Sequence, residues 1–146
     1  MKTFATALIA ALLVLSPLSA FAEGVNHKVA IHVDENDPQV MNMALNNAQN
    51  INSYYQSKGD TVEIELVAYG PGLVMLREDK SPVKDRISAM SLEMANLSFS
   101  ACGNTHRNMS KAEGAEVALV SEASLVPSGV VRLIELQESG FSYIRP

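Results

Sequence analysis

Of the 146 residues one is a cysteine and none is a tryptophan, and aromatic residues make up only 5%. One cysteine cannot close a disulfide within its own chain, which excludes a cross-linked small scaffold. Basic residues are also few. Eleven Lys and Arg stand against 16 Asp and Glu, for a formal charge of −5, and they form no cluster. That balance argues against nucleic acid or an anionic membrane surface as partner, since both demand concentrated positive charge. His and Cys nowhere fall at metal-ligand spacing, so no metal is expected. Gly70-Pro71-Gly72 lacks the Lys-Ser/Thr ending and the glycine spacing of a phosphate loop. Nothing in the chain calls for a cofactor.

Long apolar runs are missing as well. The one at the start, Phe4 to Leu15, is short of the ~20 residues a membrane helix needs. It follows Met1-Lys2 and precedes Pro17 and the small-x-small sequence Ala20-Phe21-Ala22, the pattern of a secretory signal peptide cut after Ala22. The expectation is a signal peptide over 1–22, a periplasmic or secreted location, and one domain over 23–146. Loss of Lys2 would move the charge from −5 to −6. No membrane association is expected after cleavage.

What is present is a regular alternation of strand and helix signals. KVAIHV (28–33) has strand character. DENDP then offers Asp37 as a helix N-cap and Pro38 as the first helical residue. Val40, Ala44, Ala48, Ile51 and Tyr55 follow at helical spacing, up to a stop at Lys58-Gly59. TVEIELVAY (61–69) sets Val62, Ile64 and Leu66 against Glu63 and Glu65, which predicts an edge strand with solvent on the carboxylate side. After the Gly-Pro-Gly break a helix is expected over 82–94, with Val83, Ile87, Met90 and Met94 facing inward. LSFSA (97–101) is the third strand, ending at Cys102. A helical turn near 104–112, a short strand at VALV (117–120), an amphipathic helix after Pro127-Ser128-Gly129 and a short strand in FSYIRP complete the chain. Strand–helix alternation implies one α/β domain with a mostly parallel sheet covered on both faces.

In such sheets ligands sit beyond the carboxyl ends of the strands. Those ends carry Asp34-Glu35-Asn36, Tyr69-Gly70-Pro71-Gly72, Cys102-Gly103-Asn104 and Pro127-Ser128-Gly129. Cys102 stands at a strand-to-helix turn, where backbone amides and the helix dipole favour a thiolate. His106, four residues on, shares its face if the turn is helical and would then stabilise that thiolate, and Arg107 adds positive charge. The alternative is a small buried hydrophobe, and both readings stay open. His32 belongs to the packed set of the first strand, and Ser128 reads as a cap.

KVAIHVDENDP, AYGPG, the SFSACGNT turn and VPSGVVRLIELQESGFSYIRP together resemble the DsrE/DsrF-like family, in particular its small secreted members. The resemblance covers the mature chain and implies a flavodoxin-like three-layer sandwich of about five strands that assembles as a homo-oligomer, a trimer or hexamer. It also implies a cysteine on a strand-end loop that carries a persulfide to a partner protein, with Cys102 at the matching position. On that reading Gly103 and Asn104 amides would hold the anionic sulfur, with Tyr69, Gly70, Pro127, Ser128 and Gly129 around it. A chain without a resolving cysteine needs an external thiol, or a second subunit, for release. The alternative is a non-enzymatic oligomeric module that binds a small ligand or protein at the same edge. A cysteine hydrolase using Cys102 and His106 is a third reading, short of the orienting group such dyads carry.

Overall fold

The computed structural model describes residues 24–146. The expected signal peptide lies outside them. Five strands, β1 (Asn26–Val33), β2 (Thr61–Ala68), β3 (Leu97–Cys102), β4 (Ala123–Val126) and β5 (Ser142–Ile144), pair in parallel in the order β4-β3-β2-β1-β5. With helices on both faces this is the flavodoxin-like three-layer sandwich expected from the sequence.

The topology follows from the handedness of parallel connections. From β1 to β4 each strand is laid beside the last in one direction. The intervening α1 (Pro38–Ser57), a 3₁₀ helix (Gly70–Leu76), α2 (Lys84–Glu93) and α3 (Gly103–Glu113) therefore fall on one face. The return from β4 to β5 runs the opposite way, so a right-handed crossover must put α4 (Gly129–Glu138) on the other face, where it crosses β3, β2 and β1.

The two faces are unequal. On the first, Ile31, Val33, Ile64, Leu66 and Phe99 pack against Met41, Leu45, Leu73, Leu76, Ile87 and Met90 in one large core. Beneath α4 the buried apolar cluster is only Ala30, Val67, Leu133, Leu136 and Phe141, with Tyr69 beside it. α1 begins as expected, with Asp37 Oδ1 accepting from Gln39 N–H at 2.7 Å and Pro38 in the first turn, and Gly59 beyond its end takes φ 77°. Val83, Ile87, Met90 and Met94 are all buried, as their spacing requires.

Two expectations are corrected. The strand over 61–69 is not an edge strand. β2 pairs with β1 and β3 and is the middle strand of the sheet. Glu63 faces solvent, but Glu65 is buried and paired with Arg132. The alternation of carboxylates signalled a polar face, yet that face is covered by a helix bringing a cation. The segment VALV also forms no strand of the sheet. It lies along residues 76–78 through Glu78 N–H to Ala118 O and Val120 N–H to Leu76 O, both 2.9 Å, with a single antiparallel bridge between Arg77 and Leu119. Buried Arg77, gripped by Asp79 and Glu113, anchors this loop, and β4 begins three residues after it.

Candidate functional site

The sheet register brings three of the four strand ends to one level. Val33 pairs with Ala68 and Ala68 with Ala101, so Asp34, Tyr69 and Cys102 are the next residues along adjacent strands, and Cys102 pairs with Val126. Parity along β3 sends Leu97, Phe99 and Ala101 into the large core and Ser98, Ser100 and Cys102 to the α4 side. The lone cysteine thus emerges where the short helix-to-sheet contact of α4 ends.

Cys102 is also the N-cap residue of α3, and its Sγ accepts from Thr105 N–H at 3.5 Å. Burial pushes the thiol's pKa up. The Gly129 amide, the Thr105 hydroxyl and the Thr105 and Asn104 amides face the sulfur and more than offset that effect, so the thiol lies below its ordinary value. These donors come from two helices. Asn104 and Thr105 open α3, and Gly129 is the first residue of α4. Free amides at helix starts stabilise an anion through both hydrogen bonds and dipole. A thiolate is the species this arrangement suits. The sulfur is not open to bulk solvent, however, since Cys102 is 4% exposed.

Gly129 allows the close approach. A Cβ at this position would lie 3.0 Å from both Cβ and Cδ1 of Tyr69 and 3.1 Å from Cβ of Cys102. Tyr69 and Cys102 therefore flank it directly. Gly103 is similarly confined, with Val126 O 2.9 Å from where its Cβ would be.

Thr105 is a site residue that the sequence patterns above do not single out. Its Oγ1 accepts from Gly70 N–H at 2.9 Å, which leaves the hydroxyl proton for the sulfur. The signal is present as a hydroxyl three residues after the cysteine, the spacing at which a helix-start side chain meets its cap.

The structure does not bring His106 to the sulfur. Its Nε2 donates to Val117 O at 2.7 Å, and the ring is buried against the 117–120 loop. The helical face it was expected to share with Cys102 is turned instead toward that loop. Among the described residues no imidazole or carboxylate is hydrogen-bonded to the sulfur, so the Cys102–His106 hydrolase dyad has no geometric basis. Arg107 remains close: its guanidinium hydrogen-bonds Asn104 Oδ1 and lies 3.3 Å from the place of a Gly103 Cβ.

On the β1 side, His32 is packed as expected and has two aromatic neighbours. It stacks on Tyr69 with centroids 4.5 Å apart, and its Nδ1 shares a 2.8 Å hydrogen bond with Tyr143 Oη. Its Nε2 is buried without a partner among the described residues. Burial holds this imidazole below its ordinary pKa, opposed by Asp34 and supported by Arg145. Asp34 and Glu35 are engaged by Arg145 at 2.9–3.2 Å and do not polarise the cysteine. On the β4 side, Ser128 occupies the N-cap position of α4, though its hydroxyl makes no cap bond. With Pro127, Val126, Val131, Arg132 and Glu135 it lines a groove of about 240 Å³. Among the described residues no group of three or more His, Cys, Asp and Glu is arranged to hold a metal ion.

No protein-family model matches the chain, and no curated protein matches it. Among solved structures it is similar to a protein of unknown function from Methanobacterium thermoautotrophicum. The identity is 31% over 82% of this chain and 99% of the other, with a TM-score of 0.67. The two chains belong to one family. The match covers nearly the full length of that relative, which carries the same α/β fold.

Proposed function

We propose that this chain is an exported sulfur-carrier or thiol-redox protein of the DsrE/DsrF-like type, with Cys102 as its carrier. One observation supports the reading above the others: amides from the starts of two helices converge on a single sulfur and favour its anionic form. In the step proposed, the Cys102 thiolate attacks the outer sulfur of a polysulfide or of a persulfide R–S–SH. A new S–S bond forms at Cys102, the donor's S–S bond breaks, and R–S⁻ leaves with the bonding pair. An acceptor thiolate then attacks the outer sulfur of the Cys102 persulfide and takes it, returning Cys102 to the thiolate. No net oxidant is consumed, and no second cysteine in the chain is required. The acceptor is a thiol of another protein or subunit, and the assembly is a homo-oligomer, a trimer or hexamer.

A second reading rests on the 4% exposure of Cys102 and on the half-exposed Val130, Val131 and Ile134 along α4. It makes the chain a non-enzymatic oligomeric module that binds a small ligand or protein at this edge. The two are separated by a transfer experiment. Protein treated with polysulfide, freed of excess reagent and mixed with glutathione should yield one glutathione persulfide per Cys102, and none from Cys102→Ser. Absence of transfer, with a thiol that reacts with alkylating reagents only after denaturation, would favour the binding module.

A further inference from the structure

The ionic group around the buried Glu65 at mid-sheet takes no part in the sulfur transfer itself. Glu65 Oε1 accepts from Ser100 Oγ at 2.5 Å and from Arg132 Nε at 2.7 Å, and Oε2 accepts from Arg132 Nη2 at 2.7 Å. The carboxylate is buried in the middle strand, beneath the only helix on that face among the described residues. A charge in such a place costs desolvation energy and is retained only when fully paired.

Two members of the group belong to elements that bear on the sulfur, β3 and α4. Ser100 lies two residues before Cys102 on β3 and on the same side of it. Arg132 N–H closes the first turn of α4 onto Ser128 O at 2.9 Å. That turn begins at Gly129, whose backbone lies directly against Cys102, an added Cβ there falling 3.1 Å from the cysteine Cβ. Apart from the close approach of Gly129 to Tyr69 and Cys102, apolar side chains do little to place this end of the helix. Leu133 and Leu136 are buried, but Val130, Val131 and Ile134 point outward and remain about half-exposed. A bidentate guanidinium–carboxylate pair is directional where apolar contact is not.

We infer that Glu65 and Arg132 are positioning residues, a half-buried fork that fixes the first turn of α4 over Cys102 so that the Gly129 amide meets the sulfur. The inference rests on the thiolate reading of Cys102. Arg132→Lys tests it most cleanly, because it keeps the charge but loses the two-point contact. Arg107, Asp34 and Arg145 around the site, and Glu135 beside Arg132, are unchanged in it. The readout is the pH dependence of Cys102 alkylation by iodoacetamide in the folded protein, beside the melting temperature. The wild type should show a midpoint below that of a free thiol, ~8.5, and Arg132→Lys should shift it upward.

Glu65→Gln supplies a second variant with an opposing control. Removing a negative charge would by itself lower the midpoint, so a rise there marks displacement of the amide. Melting temperatures that fall with both midpoints unchanged, or a lower midpoint in Glu65→Gln, would overturn the inference and leave the pair a purely structural tie. A wild-type midpoint at or above the free-thiol value would instead overturn the thiolate reading, and the inference with it.

Discussion

At the scale of single residues, the site depends on how few atoms separate a buried inert thiol from a stabilised anion. Thr105 is the sharpest case. Its hydroxyl accepts from Gly70 and faces the sulfur, so Thr105→Val removes a donor to the anion with little change in volume. A hydrogen bond to a charged partner contributes about 1.5–3 kcal/mol. The variant should therefore raise the Cys102 alkylation midpoint by about one pH unit or more. An unchanged midpoint would remove Thr105 from the site. Gly129→Ala acts through space instead. Its Cβ would press on Tyr69 and Cys102 at 3.0–3.1 Å, and overpacking of this kind costs about 1–3 kcal/mol. A melting temperature equal to that of the wild type would show that the helix start yields without strain.

That Cys102, Gly103, Asn104 and Gly129 lie at a strand end and at helix starts is legible in the sequence, because a strand end, a turn and a helix start are local patterns. His106 was misjudged because the i, i+4 rule places it on a helix face without saying what that face meets. The Val117 carbonyl that claims it belongs to a loop that sequence periodicity also misread as a strand.

At the scale of elements, the helices begin and end where chemistry local to the chain requires. Asp37 caps α1 through its bond to Gln39 N–H. Asp37→Ala should cost about 1 kcal/mol, visible as a lower melting temperature with the Cys102 midpoint unchanged. A fall in alkylation reactivity as well would mean that α1 and the site are coupled. The strand over 61–68 shows where local reading stops. Val62, Ile64 and Leu66 against Glu63 and Glu65 is the same pattern for an edge strand and for a central strand whose carboxylate meets an arginine from a covering helix. Only the identity of the strand's neighbours decides between them, and Arg132 lies 67 residues away in the chain. The 3₁₀ helix over 70–76 was hidden for a related reason. Gly-Pro-Gly signals a break, but the tight helix that it opens is held by the burial of Leu73, Met75 and Leu76 among residues distant in the chain.

At the scale of the whole molecule, the asymmetry of the two sheet faces organises both stability and site. One face holds a large apolar core. The other is held by a small apolar cluster and one ion pair to the buried Glu65, and it is this face that carries Cys102. The pH dependence of stability should reflect that division. Burial raises the pKa of Glu65, but bonds from Arg132 and Ser100 outweigh it, so the folded value lies below the ordinary carboxyl value of 4.5. A depressed carboxylate contributes stability that is fully present above the unfolded value and is lost as pH falls through the folded one. The melting temperature should therefore drop below about pH 4.5, and less steeply in Glu65→Gln. Equal slopes for the two proteins would mean that Glu65 adds nothing to acid sensitivity. The α/β class and parallel sheet were readable from alternation alone, whereas the strand order, and hence the inequality of the faces, depends on which way α4 crosses back.

The most direct measurement is the intact mass of the folded protein after incubation with polysulfide, beside Cys102→Ser. Additions of whole sulfur atoms on the wild type alone, removed by a reducing thiol, are the expected result. Wild type and Cys102→Ser that both stay unmodified, with a wild-type thiol that reacts only once the chain is unfolded, would contradict a sulfur-carrying Cys102.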